Sequence, residues 1–172
     1  MSIFTEEYSF DNFAVNSGNV VAYTCALEIA KSPGSNKHNP LYIYGKTGIG
    51  KTHLMKAIGL YIQKHNPEMK VCYLSAEEFA MEVVEALRNK RMEELEKKYS
   101  EIDVLMIDYV HYISGREETM KEFFRLFNIL YSNNKQIIMA SDLEPQKIHN
   151  LEERIYSIFK RGLILKIEKR ED

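Results

Sequence analysis

The segment at residues 45–52 constrains the fold more than any other part of this 172-residue chain. It reads Gly-Lys-Thr-Gly-Ile-Gly-Lys-Thr and follows an apolar run at residues 41–44. This is the spacing of a P-loop, in which glycines let backbone N–H groups face a phosphate, Lys51 reaches its outer oxygens and the Thr52 hydroxyl joins a Mg²⁺ shell. A helix that begins here would also direct its positive end at the anion. The segment therefore predicts a nucleoside triphosphate site in an α/β domain.

Predicted strands and helices alternate along the chain. Hydrophobic periodicity and turn residues predict strands at residues 41–44, 70–74, 103–108, 136–140 and 163–167, and helices at residues 20–31, 51–65, 76–88, 92–99, 117–131 and 151–159. Such alternation is typical of a parallel sheet covered by helices on both faces, with ligands at the carboxyl ends of its strands.

The domain organisation is predicted from the same pattern. Two helices between the second and third strands exceed what one crossover needs, so we expect an added helical insertion at about residues 76–99. We expect residues 1–13 to form an N-terminal leader, residues 14–172 to form one nucleotide-binding domain, and residues 36–40 to form a loop.

The composition excludes some classes of protein. The chain has 23 Lys and Arg residues against 25 Asp and Glu residues, so contact with nucleic acid would need a local basic patch. Cys25 and Cys72 lie in different predicted elements, which favours free thiols over a disulfide framework or a metal site. Neither a signal pattern nor an apolar segment of membrane-spanning length is present in the sequence. We therefore expect a cytoplasmic protein with no membrane partner.

Two acidic residues are candidates for binding the metal, sensing the γ-phosphate or placing a water near the phosphates. Asp108 closes the predicted third strand, so its carboxylate would emerge at the edge of the sheet and hold a water on Mg²⁺. Asp142 follows the fourth strand and could sense the γ-phosphate or place a water, while capping the next segment is an equal alternative. Tyr109 stands where a second acid might be expected, and a phenol stays protonated near neutral pH. Nucleotide binding and hydrolysis are therefore separate predictions.

Two arginines are candidates for contacts with macromolecules. Arg154 could reach a nucleotide or a neighbouring subunit, although most such charges are only solvated. Arg116 follows Ser114 and Gly115 in a predicted loop and could contact nucleic-acid phosphates. Glu117 and Glu118 follow it directly, and acids repel a nucleic-acid strand. The residues alone give only slight support for nucleic-acid binding.

From Tyr8 to Ile167 the sequence resembles the AAA+ domain of the bacterial replication initiator family, DnaA. The resemblance is carried by residues 9–13, 39–45, 51–59, 73–75, 122–124 and 151–154. It implies a P-loop NTPase fold, a three-layer αβα sandwich with a five-stranded parallel sheet, that uses ATP or ADP with Mg²⁺. It also implies nucleotide-dependent self-association at a replication origin, and it likens the insertion to helices that help hold single-stranded DNA.

The resemblance also implies a role for each matching residue. Contacts with the nucleotide are implied for Gly45, Thr47, Gly48, Ile49, Gly50, Lys51, Thr52, His53 and, near the adenine, Asn12 and Val15. A magnesium site is implied at Thr52 and Asp108, with catalytic roles for Asp108, for Asp142 as the first sensor and for Arg154 as a contact in trans. Contacts with single-stranded DNA are implied for Val84 and Arg116.

The chain departs from the family pattern at several points. Tyr109 replaces an acid of the magnesium-side pair, and Ile158 replaces the arginine that reaches a neighbour's ATP, although Arg154 matches the arginine one helical turn earlier. Glu118 stands where a cation is usual on the DNA-binding side. The sequence ends after the last predicted strand, so we expect the helical lid to be absent from this chain, and the alternative is that the chain is an excised fragment of a longer protein.

We therefore expect a DnaA-like domain that binds ATP or ADP in replication initiation or its regulation, with weak or absent hydrolysis. One alternative is a non-catalytic regulator that binds a DnaA-type initiator through an AAA+ face. Another is a helicase-loader ATPase, which would share the P-loop and the sheet, although the run at residues 39–59 and the two-helix insertion favour DnaA.

Overall fold

Five parallel strands form the centre of the protein, seen in a computed structural model that describes residues 3–35 and 37–169. The strands are β1 (Leu41–Tyr44), β2 (Val71–Ser75), β3 (Val104–Asp108), β4 (Gln136–Ser141) and β5 (Leu163–Lys166), in the order β2-β3-β4-β1-β5. Every neighbouring pair is parallel. All residues of β3 and β4 are buried, as expected for central strands covered on both faces.

Among the described residues, six α-helices cover the sheet on both faces. They are α1 (Val20–Lys31), α2 (Lys51–His65), α3 (Ala76–Arg88), α4 (Met92–Ser100), α5 (Glu117–Ser132) and α6 (Glu153–Phe159). The core on one face includes Ile29 and Ile58 from α1 and α2, and the core on the other includes Phe79, Phe123 and Phe159 from α3, α5 and α6. The predicted three-layer αβα sandwich is confirmed, with α6 beginning two residues later than the sequence predicted.

The α3–α4 pair occupies the place of the predicted insertion between β2 and β3. Ser75 caps α3 as its sequence predicts: its hydroxyl accepts the Glu78 N–H at 3.1 Å, and the Glu78 carboxylate accepts the Ser75 N–H at 3.2 Å. Tyr99 of α4 is buried against Phe79 of α3, with ring centroids 5.6 Å apart. Both helices are therefore packed into the domain.

The N-terminal segment packs against α1 and α2. Phe10 is buried, with its ring edge against the rings of Tyr23 and Tyr61. The predicted division between residues 13 and 14 stays a prediction. Parts of the predicted leader, loop and domain, namely residues 1–2, 36 and 170–172, lie outside the described residues. Within the described ranges, no helix is long and apolar enough to cross a membrane.

The parallel arrangement brings three chain segments to one edge of the sheet. The P-loop follows β1, Asp108 is the last residue of β3, and Asp142 follows β4. Because β3, β4 and β1 are consecutive neighbours in the sheet, these segments lie side by side at the carboxyl ends of the strands.

Candidate functional site

The P-loop backbone takes a shape that glycine permits. Gly48 and Gly50 have φ values of 80° and 118°, which L residues rarely adopt. In the part of the chain that the structure describes, no side chain caps the start of α2 at Gly50. The first N–H groups of a helix lack partners within the helix, so an anion is a natural partner for them here.

Lys51 is buried, and its ammonium group has three oxygen partners. It donates to the carbonyl oxygens of Gly45 and Lys46 at 2.5 and 2.9 Å, and it pairs with Asp142 Oδ1 at 3.1 Å. A buried ammonium needs such an anionic partner. Asp142 therefore pairs with the same ammonium group that a P-loop lysine uses to bind phosphate.

Asp142 faces the P-loop from the end of β4. Its Oδ2 accepts the Thr47 hydroxyl at 3.3 Å. Among the described residues, its buried Oδ1 has no hydrogen-bond partner and forms an ion pair with Lys51. A carboxylate oxygen accepts hydrogen bonds, so this atom fits a donor such as a water beside the outer phosphates. This placement favours the phosphate-side interpretation of Asp142 over a cap.

Asp108 is almost completely buried and is held by three donors. Its Oδ2 accepts the Thr52 hydroxyl and the Tyr73 hydroxyl, each at 2.6 Å, and its Oδ1 accepts the Tyr109 N–H at 3.0 Å. Burial and the neighbouring Asp108 carboxylate raise the pKa of Tyr73, so this phenol remains a donor. Carboxylate and hydroxyl oxygens are hard ligands of the kind that Mg²⁺ prefers, so Thr52 and Asp108 fit the implied metal.

Tyr73 was not identified from the sequence as a site residue. It lies on β2, 35 positions before Asp108, and meets it because Ser75 is paired with Asp108 in the register of β2 and β3. Residues two apart on a strand share a face, so the register was the only signal that could have found it.

Tyr109 follows Asp108 and precedes a short 3₁₀ turn at Val110–Ile113, which contains His111. Tyr109 has a left-handed φ of 54° and a side chain that is 44% exposed, which is unusual for an aromatic residue. His111 is half-buried, and its Nδ1 lies 3.0 Å from Ser141 Oγ. Burial lowers the pKa of His111 below its ordinary value, while the nearby Asp142 carboxylate opposes the shift. The sequence prediction missed His111.

A cavity of about 450 Å³ lies between the P-loop and the ends of β3 and β4. Tyr8 and Tyr109 line it together with most of the sequence-predicted nucleotide residues, namely Thr47, Gly48, Gly50, Lys51, Thr52, His53, Asp108 and Asp142. Gly45 contributes its carbonyl oxygen to Lys51, and Ile49 packs against the core instead.

The predicted adenine residues lie outside the lining of this cavity. Asn12 is exposed and donates to the Glu6 carbonyl oxygen at 2.7 Å, and Val15 is 47% exposed. The His53 ring fixes the nearby segment, because it contacts the rings of Tyr8 and Phe13 at centroid distances of 5.5 and 5.1 Å. The assignment of Asn12 and Val15 to the adenine stays a prediction.

The two positions of the predicted trans contact differ in exposure. Arg154 is exposed on α6, donates to Glu152 at 2.7 Å and lies over the Phe124 ring. Ile158 is fully buried in the core. Position 158 therefore presents no side chain to a neighbour, and Arg154 lies away from the nucleotide cavity of its own chain.

The predicted DNA-contacting residues lie together on another surface. Val84 of α3 and Arg116 line a cavity of about 580 Å³ with Met81, Arg88 and Tyr112 among its walls. The Arg116 guanidinium lies 4.0 Å from the centroid of the Tyr112 ring. Glu118 lines a different cavity, beside Glu122.

Comparison with known proteins gives consistent matches. The model of the bacterial DnaA ATPase domain family matches residues 4–166. Domain III of the Thermotoga maritima replication initiation protein DnaA has a TM-score of 0.94 and 39% identity, with 99% of this chain and 70% of that chain covered.

Two further DnaA structures have similar scores. AMPPCP-bound DnaA from Aquifex aeolicus has a TM-score of 0.91 and 40% identity, with 97% of this chain and 51% of that chain covered. A replication initiator DnaA bound to AMPPCP and single-stranded DNA has a TM-score of 0.92 and 40% identity, with 98% and 52% covered. This chain thus spans about half the length of these two proteins. Because the family match extends over nearly the whole chain and the same fold recurs at 39–40% identity, the chain belongs to the family of bacterial DnaA ATPase domains.

Proposed function

We propose that this chain binds ATP or ADP with Mg²⁺ and acts in chromosomal replication initiation or its regulation. One observation carries the proposal: the P-loop, the Thr52–Asp108 pair and Asp142 converge on one cavity at the carboxyl edge of the sheet. The relatives bound to AMPPCP support nucleotide binding at this site.

Each residue of the site has a defined task in this proposal. The backbone N–H groups at Gly48, Gly50 and the start of α2 bind phosphate oxygens, and Lys51 pairs with the outer phosphates. Thr52 and Asp108 hold Mg²⁺, which when bound neutralises charge on the phosphates. The donors Tyr73 and Tyr109 keep the Asp108 carboxylate oriented.

We propose that hydrolysis is weak in this chain. Tyr109 offers no carboxylate to orient a water, and the buried Ile158 offers no cation to a neighbouring site. Where an arginine finger drives phosphoryl transfer, its contribution is about 10³–10⁵ in rate. Phosphate release should therefore stay near background for the unaltered chain and rise in Tyr109→Asp. Brisk release by the unaltered chain would contradict this part of the proposal.

Nucleotide binding is tested with two lysines of the same loop. Lys51→Ala removes the buried ammonium group, whereas Lys46→Ala removes an exposed one and serves as the matched control. A hydrogen bond to a charged group contributes about 1.5–3 kcal/mol, so Lys51→Ala should weaken ATP binding at least about tenfold by calorimetry. Equal affinity for the two variants, with the fold intact by circular dichroism, would refute the assignment.

Single-stranded DNA is a second ligand that one observation favours. Val84 and Arg116 are far apart in sequence but line the same cavity, and a DnaA relative is bound to single-stranded DNA. Affinity for a single-stranded oligonucleotide should fall as the salt concentration rises. Arg116→Gln should reduce both the affinity and the slope of log affinity against log salt concentration. No detectable binding at low salt with ATP present would end this proposal.

We also propose that the partner is a DnaA-type initiator, either another copy or a full-length homologue. The exposed Arg154 and the buried Ile158 suit a subunit that contacts a neighbour without completing its active site. Co-sedimentation with a full-length DnaA in ATP would test this, and Arg154→Ala should reduce the sedimented fraction. Sedimentation as a monomer, alone and in the mixture, would contradict it.

A further inference from the structure

His111 connects the end of β3 to the end of β4 through two contacts. Its Nδ1 lies 3.0 Å from Ser141 Oγ, and its Nε2 lies 3.8 Å from Asp142 Oδ2. A neutral imidazole has one N–H, whereas a protonated imidazole has an N–H on both nitrogens. Protonation would therefore let the ring donate to Ser141 and place a positive charge beside Asp142.

Asp142 lies between two basic side chains. Its Oδ1 is 3.1 Å from Lys51 Nζ, and its Oδ2 is on the His111 side. In this arrangement Lys51 already neutralises the carboxylate and repels a second cation. Burial lowers the pKa of His111, the Asp142 carboxylate opposes that shift, and the Lys51 charge lowers the pKa further.

Phosphate binding changes this balance. A P-loop lysine reaches the outer phosphates of a bound nucleotide, so Lys51 would be shared between Asp142 and the phosphates. Asp142 would then have less positive charge beside it and more negative charge nearby. Both changes favour a proton on His111, which is the other basic group in contact with Asp142 among the described residues.

We propose that His111 takes up a proton when the P-loop binds a nucleoside triphosphate, so that Lys51, Asp142 and His111 couple nucleotide affinity to pH. This inference rests on the proposed nucleotide binding and goes beyond it, because it assigns a regulatory role to His111. The coupling has a definite sign: binding that takes up a proton is favoured as the pH falls.

Other titratable and charged groups lie near the turn that carries His111, and their influence on its protonation has to be separated from that of Asp142. Asp108 lies at the end of β3 and attracts a proton to His111, and the Tyr109 ring lies 6.4 Å from the His111 ring. On the α3 side, Glu77 and Arg116 line the neighbouring cavity with Tyr112. Asp108 is held by three donors, so the pairing of Asp142 is the charge arrangement that a phosphate alters directly.

The test is the number of protons taken up per ATP bound, measured by calorimetry in two buffers with different ionisation enthalpies. The wild type, His111→Gln and the exposed-histidine control His149→Gln are compared between pH 6 and pH 8. ATP itself takes up a proton in this range, so the informative quantity is the difference between variants. One proton fully coupled to binding changes the affinity by at most about tenfold per pH unit.

The wild type and His149→Gln should take up more protons, and show a steeper rise in affinity as the pH falls, than His111→Gln. Equal proton uptake by all three would overturn the coupling while leaving nucleotide binding intact. If the wild type binds no ATP at every pH between 6 and 8, both the coupling and the proposed function are refuted.

A second measurement needs no substitution. The His111 ring is titrated by NMR in the wild type with and without ATP. Its pKa should be higher in the ATP complex, and an unchanged or lower value would overturn the coupling even if His111→Gln does not fold.

Discussion

Glu122 is a buried carboxyl group whose replacement should stabilise the protein at alkaline pH. It lies on α5, its side chain is 5% exposed, and its Oε1 has no hydrogen-bond partner among the described residues. Arg125 lies 3.9 Å from Glu122 but only 2.6 Å from Glu96 of α4, so its guanidinium pairs mainly with Glu96. Burial, followed by the neighbouring Glu96 carboxylate, raises the pKa of Glu122 to about 7.

The size of the effect follows from that shift. A change from 4.5 in the unfolded chain to about 7 in the folded protein corresponds to about 3 kcal/mol. Between these two pKa values the folded protein keeps a proton that the unfolded chain has released. The free energy of unfolding therefore falls as the pH rises through this window, and above about pH 7 the whole contribution is lost. Glu122→Gln keeps the shape and a donor for Glu96, but it cannot ionise.

Urea unfolding at pH 5 and pH 8 measures this contribution. Glu122→Gln should exceed the wild type in free energy of unfolding by up to about 3 kcal/mol at pH 8 and by much less at pH 5. Glu118→Gln, an exposed change on the same helix, is the control and should show no such difference. If Glu122→Gln changes stability equally at both pH values, the buried carboxyl group does not titrate as argued.

Two further predictions concern the nucleotide site. Tyr73→Phe removes the 2.6 Å hydrogen bond to the buried Asp108 carboxylate, so we expect a loss of about 1–3 kcal/mol in urea unfolding, and no loss would show that water replaces the phenol. Gly50→Ala would combine a φ of 118° with a Cβ 3.0 Å from the Phe13 ring, whereas Gly48→Ala would have a φ of 80° with open space around its Cβ. We therefore expect Gly48→Ala to lower the free energy of unfolding by about 1–2 kcal/mol in the same assay, and Gly50→Ala to lower it by more. The reverse order would contradict this account.

Local signals in the sequence predicted the elements well. The strand before the P-loop and the helix after it follow from an apolar run and a glycine pattern. The cap of α3 follows from Ser75 and Glu78, three residues apart. These features depend on neighbours in the chain, so the sequence alone was sufficient for them. The strand order was not predicted, and the roles of Asn12, Val15 and Val84 came only from the resemblance to DnaA.

The contacts that surround the predicted site residues could not be read from the sequence. Tyr73 and Asp108 are 35 positions apart, and His111 and Ser141 are 30 positions apart. Each pair meets only because two strands are neighbours in a particular register. The buried Glu122 shows the same limit, since its position on an amphipathic helix does not reveal that Glu96 faces it.

We propose that the residues at the end of β3 separate nucleotide binding from hydrolysis. Asp108 is buried and keeps its orientation through three donors, as the proposed metal site requires. Tyr109, the next residue, is 44% exposed and carries a phenol in place of a carboxylate. A second carboxylate there would add negative charge beside Asp108 and Asp142, close to the phosphates, and would oppose their binding by like-charge repulsion. The tyrosine removes that repulsion together with the group that would orient a water. Tyr109→Asp should therefore weaken ATP binding while it raises turnover, and a variant that gains both would show that the two properties are not opposed at this position.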